Sequence, residues 1–207
     1  MSRASILFLS ALLSLFSATC FATQSDVVFY EDFSSYADGE LPAGWVGGDN
    51  LAVRSVQRNK VLKDFVNGNY DVTTKKIDFP NRFVLTILMK HHVSNPHKFR
   101  GVKHGWYGNY RNTAIKLHLG EYQVHIGDGE ICAGAKGKYP NWIQNDILVP
   151  NKTFSLSIRN EGSIFSVFVN GAQVLVGRFK DIKFNNIRFE SKSKFEINSI
   201  KVEKIDT

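Results

Sequence analysis

Apolar residues alternate with polar ones in short runs along most of this chain, and almost none of it carries a helical period. Phe154, Leu156 and Ile158 alternate with Ser155, Ser157 and Arg159, which sends the apolar set to one face of a strand and the polar set to the other. Glu161-Gly162 turns the chain into a second run, Ile164 to Val169. Asn170-Gly171 then accepts the two positive φ angles of a type I′ turn, and a third run, Gln173 to Phe179, completes a meander. Further strands are predicted at 27–33, 51–56, 60–65, 70–79, 83–91, 114–119, 122–126, 187–190 and 195–202. In the last of these the apolar phase shifts between Ile197 and Ile200, so one extra residue, a bulge, is expected there. About a dozen short strands without intervening helices predict an all-β chain folded as a two-sheet antiparallel β-sandwich.

The first 22 residues have the pattern of a cleaved secretory signal. Arg3 precedes an apolar stretch from Ile6 to Phe16, and Cys20-Phe21-Ala22 places small residues at −3 and −1 of a cut after Ala22. Ser17-Ala18-Thr19 before Cys20 lacks the Leu and the small residue that lipid attachment favours, so cleavage is preferred over a lipid anchor. No later segment has the ~20 continuous apolar residues of a membrane-spanning helix. The expectation is a secreted or periplasmic protein with one domain, residues 23–207. Cleavage leaves 185 of 207 residues and removes one arginine, taking the formal charge from +7 to +6. Cys132 is then the sole cysteine, so no internal disulfide can form and the core alone must hold the fold.

Two segments break the rhythm. Lys90 to Arg111 holds Lys90, Lys98, Arg100, Lys103 and Arg111 without one acid, together with His91, His92, His97, His104, Phe99, Trp106, Tyr107 and Tyr110. Gly127 to Asn145 is rich in glycine and carries Asp128, Glu130, Tyr139 and Trp142. Both are expected to be long irregular insertions, which in compact domains usually carry function.

The run Tyr30-Glu31-Asp32-Phe33-Ser34-Ser35-Tyr36-Ala37-Asp38-Gly39-Glu40-Leu41-Pro42-Ala43-Gly44-Trp45 resembles the opening strand and turn of concanavalin A-like jelly-roll domains. The 154–171 meander, ending Val167-Phe168-Val169-Asn170-Gly171, is similar to late strands of the same superfamily. That group includes laminin G-like modules, legume-type lectins, glucanases and 3-keto-disaccharide hydrolase-type domains. The resemblance covers residues 27–205 and implies a jelly-roll sandwich; many functions live on that fold.

The glucanase branch would require paired carboxylates in a Glu-x-Asp-x-x-Glu pattern, and that spacing does not occur here. Asp128 and Glu130 are the nearest acids, two residues apart within a glycine-rich turn. Cys132 could act as a nucleophile only beside a base such as His118 or His125, whose alternation places them on a sheet surface. Adjacent His91 and His92 point to opposite faces of a strand and cannot share one ion, while His91, His97 and His104 could meet only if the insertion folds back. No catalytic residue is assigned. The resemblance also implies structural Ca²⁺, for which Asp32, Asp38 and Asp49 near the N-terminal turn are the candidate oxygen donors. Acids in such turns serve equally by bonding their own backbone.

Sugar binding has the best physical basis. A pyranose offers an apolar C–H face to Trp or Tyr, and its hydroxyls need polar partners. Trp106, Tyr107, Tyr110, Tyr139 and Trp142 are the expected stacking surfaces, with Arg100 and Arg111 as polar or anionic contacts. Trp45, ending the Leu-Pro-x-Gly-Trp turn, is expected in the core instead. The leading expectation is an exported, non-catalytic, lectin-like module for a glycan or polysaccharide, with anionic glycans among the candidates. Alternatives are a sugar-derivative hydrolase on the same fold and an envelope module that docks a partner protein. Export disfavours nucleic acid.

Overall fold

The computed structural model describes residues 26–48, 50–64, 70–92, 113–120, 122–127, 130–135, 138–144, 151–178, 185–191 and 194–206. Residues 1–22, read above as a signal, lie outside them. Fifteen strands make up the described fold: β1 (Val27–Glu31), β2 (Val46–Gly47), β3 (Leu51–Val56), β4 (Asn59–Asp64), β5 (Tyr70–Thr73), β6 (Arg82–His91), β7 (Thr113–Leu119), β8 (Tyr122–Gly127), β9 (Glu130–Ala135), β10 (Lys138–Gln144), β11 (Thr153–Glu161), β12 (Ile164–Val169), β13 (Ala172–Arg178), β14 (Arg188–Ser191) and β15 (Phe195–Lys204). An eight-stranded antiparallel sheet runs β13-β12-β11-β6-β15-β4-β3, with β1 also paired to β15. A seven-stranded sheet runs β10-β9-β8-β7-β14-β5-β2. Together they form the predicted jelly-roll sandwich.

The alternation explains how the sheets meet. On β6, Phe83, Leu85, Ile87 and Met89 are buried, and Phe154, Leu156 and Ile158 on β11 lie on the same inner face. The opposing sheet contributes a row of cross-strand partners, Val72, Phe189, Leu117, Val124 and Ala133, all essentially inaccessible to water. Tyr122 of one sheet meets Phe165 of the other with ring centroids 4.2 Å apart, joining the two layers. At about 25 cal/mol per Å² of apolar area buried, such a continuous core can hold a domain without a disulfide.

The turn chemistry follows expectation. Asn170 and Gly171 take φ values of 50° and 80°, which the β12–β13 hairpin requires. The pairing of β15 with β6 skips a residue between Ile197 and Ser199, where the phase shift placed a bulge. Trp45 is buried and meets Phe33 edge-on at 5.9 Å. Phe33 itself sits at φ 64°, a conformation costly for an aromatic residue. Glu31 holds it there: its carboxylate accepts a hydrogen bond from the Phe33 amide at 2.9 Å and another from the Tyr36 hydroxyl at 3.2 Å. Burial, with Glu31 beside it, raises the Tyr36 hydroxyl pKa above its ordinary value. Gly47, at φ 91°, has no room for a side chain, because a Cβ would lie 2.3 Å from the Asp71 carbonyl oxygen on β5.

Two expectations need correction. The strand predicted over 70–79 ends at Thr73. Inward positions run Val72, Thr74 and then Ile77, so the phase changes at Lys75-Lys76. Backbone bonds from Thr74 and Ile77 to Ile187 and Asn185 then tie down the irregular stretch. Second, 127–145 is not an irregular insertion: β9 and β10 occupy most of it as an antiparallel pair. Ala133, Gly134 and Ala135 carry little β-propensity, and Pro140 argued against a strand. Pro140 is tolerated because β10 is an edge strand, and the proline falls where its register shifts between Lys138 and Asn141.

Candidate functional site

Sheet register assembles the candidate site on the face of the seven-stranded sheet opposite the core. Two transverse rows alternate with the apolar row. One runs Thr73, Arg188, His118, Gln123 and Gly134. The other runs Asp71, Glu190, Lys116, His125, Cys132 and Trp142. Apolar residues fill the inner row and polar or small ones fill most of the outer two, as a period of two requires.

Within these rows the polar groups are bonded to one another. Arg188 grips Asp71 with both arms of its fork, Nε to Oδ1 at 2.6 Å and Nη2 to Oδ2. The Arg188 hydrogen bonds lower the Asp71 pKa, and Asp71 raises that of Arg188 in return. His118 Nε2 lies 3.2 Å from Glu190 Oε2, Gln123 Nε2 lies 3.0 Å from His118 Nδ1, and His125 Nε2 lies 3.1 Å from Gln123 Oε1. His118 and His125 do occupy the outward face that alternation assigned to them. Yet Gln123 and His125 are only 6% and 4% exposed, so this network is well screened from water.

A second polar cluster lies on the eight-stranded sheet. Glu196, 4% exposed, accepts from Lys63 Nζ at 2.7 Å, has His92 Nε2 at 2.9 Å and lies 4.0 Å from Lys90 Nζ. Burial pushes the Glu196 pKa up, but the Lys63 and His92 hydrogen bonds outweigh it and leave the carboxyl below its ordinary value.

The residues expected to bind sugar divide into two sets. Trp106, Tyr107, Tyr110, Arg100 and Arg111 lie outside the described residues, as do His97 and His104. Tyr139 and Trp142 are on β10, a strand rather than a loop, and Trp142 takes the register position opposite Cys132. Of the acids considered for calcium, Asp49 is outside the described residues. Asp32 accepts from the Ser34 amide at 3.0 Å, and Ser34 lowers its pKa. Asp38 is held by the Lys60 ammonium, the Ser55 amide at 3.1 Å and the Ser55 hydroxyl at 2.9 Å, and Lys60 leads these in lowering its pKa to about 2. Lys60 is thus the partner of the Asp38 carboxylate. Among the described residues no three His, Cys, Asp or Glu side chains converge as metal ligands.

The network members Gln123 and Glu190 were not anticipated. Glu190 is 72 residues from His118, and only sheet register brings them together. A polar outward phase on β7, β8 and β14 was the available signal.

No protein-family profile and no curated protein matches the sequence. Solved structures do match in shape. The exoplasmic/lumenal domain of VIP36, in its Ca²⁺/Man-bound form, superposes with a TM-score of 0.60 at 7% identity over 79% of this chain and 84% of that one. The carbohydrate-binding module CBM66 from Bacillus subtilis gives 0.51 at 11% identity over 78% and 96%. A sialidase gives 0.61 at 11% identity over 86% of this chain, which corresponds to 18% of the sialidase chain. The chain therefore has the concanavalin A-like fold that its N-terminal run and meander resembled.

Proposed function

We propose that this protein is an exported, non-catalytic carbohydrate-binding module, and that its ligand lies on the outward face of the seven-stranded sheet. The carrying observation is the contrast between that sheet's two faces. One is a dry apolar row, while the other presents Asp71, Arg188, Glu190 and His118 as a polar field backed by the buried Gln123 and His125. Such a field suits sugar hydroxyls, and Trp142, on the edge strand β10 in register with Cys132, is the proposed platform for a pyranose face. The shape shared with VIP36 and CBM66 supports the same reading. Anionic glycans are favoured over neutral ones by the formal charge, +7 for the whole chain and +6 after a cut at Ala22.

The test is a glycan-array screen of the chain from residue 23, with Trp142→Ala and Trp106→Ala as variants and with a chelator arm for calcium. Wild type is expected to bind a defined glycan set, and Trp142→Ala to lose on the order of tenfold in affinity, about 1.4 kcal/mol. Absence of any bound glycan rejects the function. Unchanged binding by Trp142→Ala rejects the assigned surface. Loss of binding with chelator assigns a cation to the site.

A further inference from the structure

Arginines gather at one end of the eight-stranded sheet, on its outward face and so on the sheet opposite the proposed glycan surface. Alternation sends Arg82 of β6, Arg159 and Glu161 of β11 and Arg178 of β13 outward, because Phe83, Ile158 and Leu175 point into the core. Register sets Arg82 opposite Glu161 and Arg159 opposite Val84. Arg178 stands opposite Ile164, the first residue of β12 after the Gly162-Ser163 turn.

The one carboxylate of this group is already taken. Arg159 donates to Glu161 Oε1 from Nε at 3.0 Å and from Nη2 at 2.7 Å. Arg82 Nη2 stands 3.7 Å from that same oxygen, an ion pair without a hydrogen bond. Arg82 Nε is shut off from solvent and has no hydrogen-bond partner among the described residues. With 34% of the side chain still exposed, a ligand meets Arg82 at its Nη end. Arg178 is exposed and enters no ion pair among the described residues. The nearest further acids have cations of their own: Glu203, opposite Val84, pairs with Lys201 at 2.7 Å, and Asp206 with Lys204 at 3.4 Å. Three guanidinium charges therefore face one carboxylate here.

We propose that this end of the eight-stranded sheet binds a doubly charged oxyanion, sulfate or phosphate, on the Arg82 guanidinium. A guanidinium never sheds its charge, is weakly hydrated, and presents two parallel N–H groups at the spacing of an oxyanion edge. Water can meet those donors but cannot balance the charge. Arg159, beside Glu161, and Arg178, on the edge strand, add positive potential that favours a dianion over a monoanion. Glu161 opposes the anion, so it limits affinity and supplies no contact. The site does not depend on the carbohydrate reading, and its failure leaves that reading untouched.

The experiment titrates sodium sulfate into the whole ¹⁵N-labelled protein, with sodium chloride at matched ionic strength as the reference. Arginine Nε–H and backbone amide resonances of residues 82 and 159–161 should shift and saturate with a midpoint on the order of 1 mM. Glu161→Gln removes the opposing carboxylate and should tighten sulfate about tenfold, while Arg82→Gln should abolish saturation. Should Arg82→Gln fail to fold, Arg82→Lys serves instead: it keeps the charge, loses the fork, and should weaken binding about tenfold. A second arm with sodium phosphate decides which of the two anions is held more tightly. No saturation with either salt by about 100 mM overturns the site. So does a midpoint unchanged in the Arg82 variants, or one raised in Glu161→Gln.

Discussion

Phe189→Ala is expected to lower the unfolding free energy by about 3–5 kcal/mol, the range for emptying a well-packed aromatic site. The side chain is completely buried, between Val72 and Leu117 in the inner row of the seven-stranded sheet. Its strand, β14, has only four residues, yet it is the link between β5 and β7. The cavity therefore opens where two halves of a sheet are joined, and little of the surrounding structure can collapse into it. Leu88→Ala is the matched control. Leu88 is 38% exposed on the outer face of β6, and its loss should cost no more than about 0.5 kcal/mol. Urea unfolding of both variants separates the two sites; equal effects would mean that Phe189 is not packed as described.

Acid should destabilise the fold well above the range in which ordinary carboxylates titrate. His91 continues the inner face of β6 and is 8% exposed. Burial, with a smaller contribution from the His92 charge, lowers its pKa from 6.5 to about 4. The folded state thus favours neutral His91, while the unfolded chain takes up a proton as pH falls through 6.5. Between those values the unfolded state binds more protons, so stability rises with pH and falls on acidification. At 1.36 kcal/mol per pH unit, the loss accumulates to about 3 kcal/mol by pH 4. Glu196 acts in the same direction but lower down: its carboxyl sits below the ordinary 4.5, so its contribution disappears only as pH falls below that value. Urea midpoints at pH 7, 6, 5 and 4 should decline in wild type and stay much flatter in His91→Leu over pH 6.5–4. Parallel curves would remove His91 as the cause.

How much of this was legible in the sequence depends on the distance over which each feature is specified. The β11–β12–β13 meander is written locally, in a period of two and in the Asn170-Gly171 pair, and the structure follows it strand for strand. The bulge near Asn198 was visible for the same reason: a phase shift is a local mark. The β9–β10 hairpin was hidden because small residues and Pro140 mask its strands, and an edge position that excuses the proline is a property of the whole sheet. The imidazole network was invisible because its geometry comes from register. His118 meets Gln123 across one hairpin, but it meets Glu190 only through the β7–β14 pairing. Trp45 could be assigned to the core from its turn alone, whereas the register position of Trp142 in line with a polar row needed five strand pairings to define.

On the proposed reading a glycan rests where the seven-stranded sheet turns its polar side outward, and backbone amide shifts report that contact strand by strand. Titrating ¹⁵N-labelled protein with the tightest glycan from the array should move resonances of β5, β7, β8, β10 and β14 and leave β11, β12 and β13 still. Shifts confined to the eight-stranded sheet, or no shifts at saturating glycan, would contradict the account.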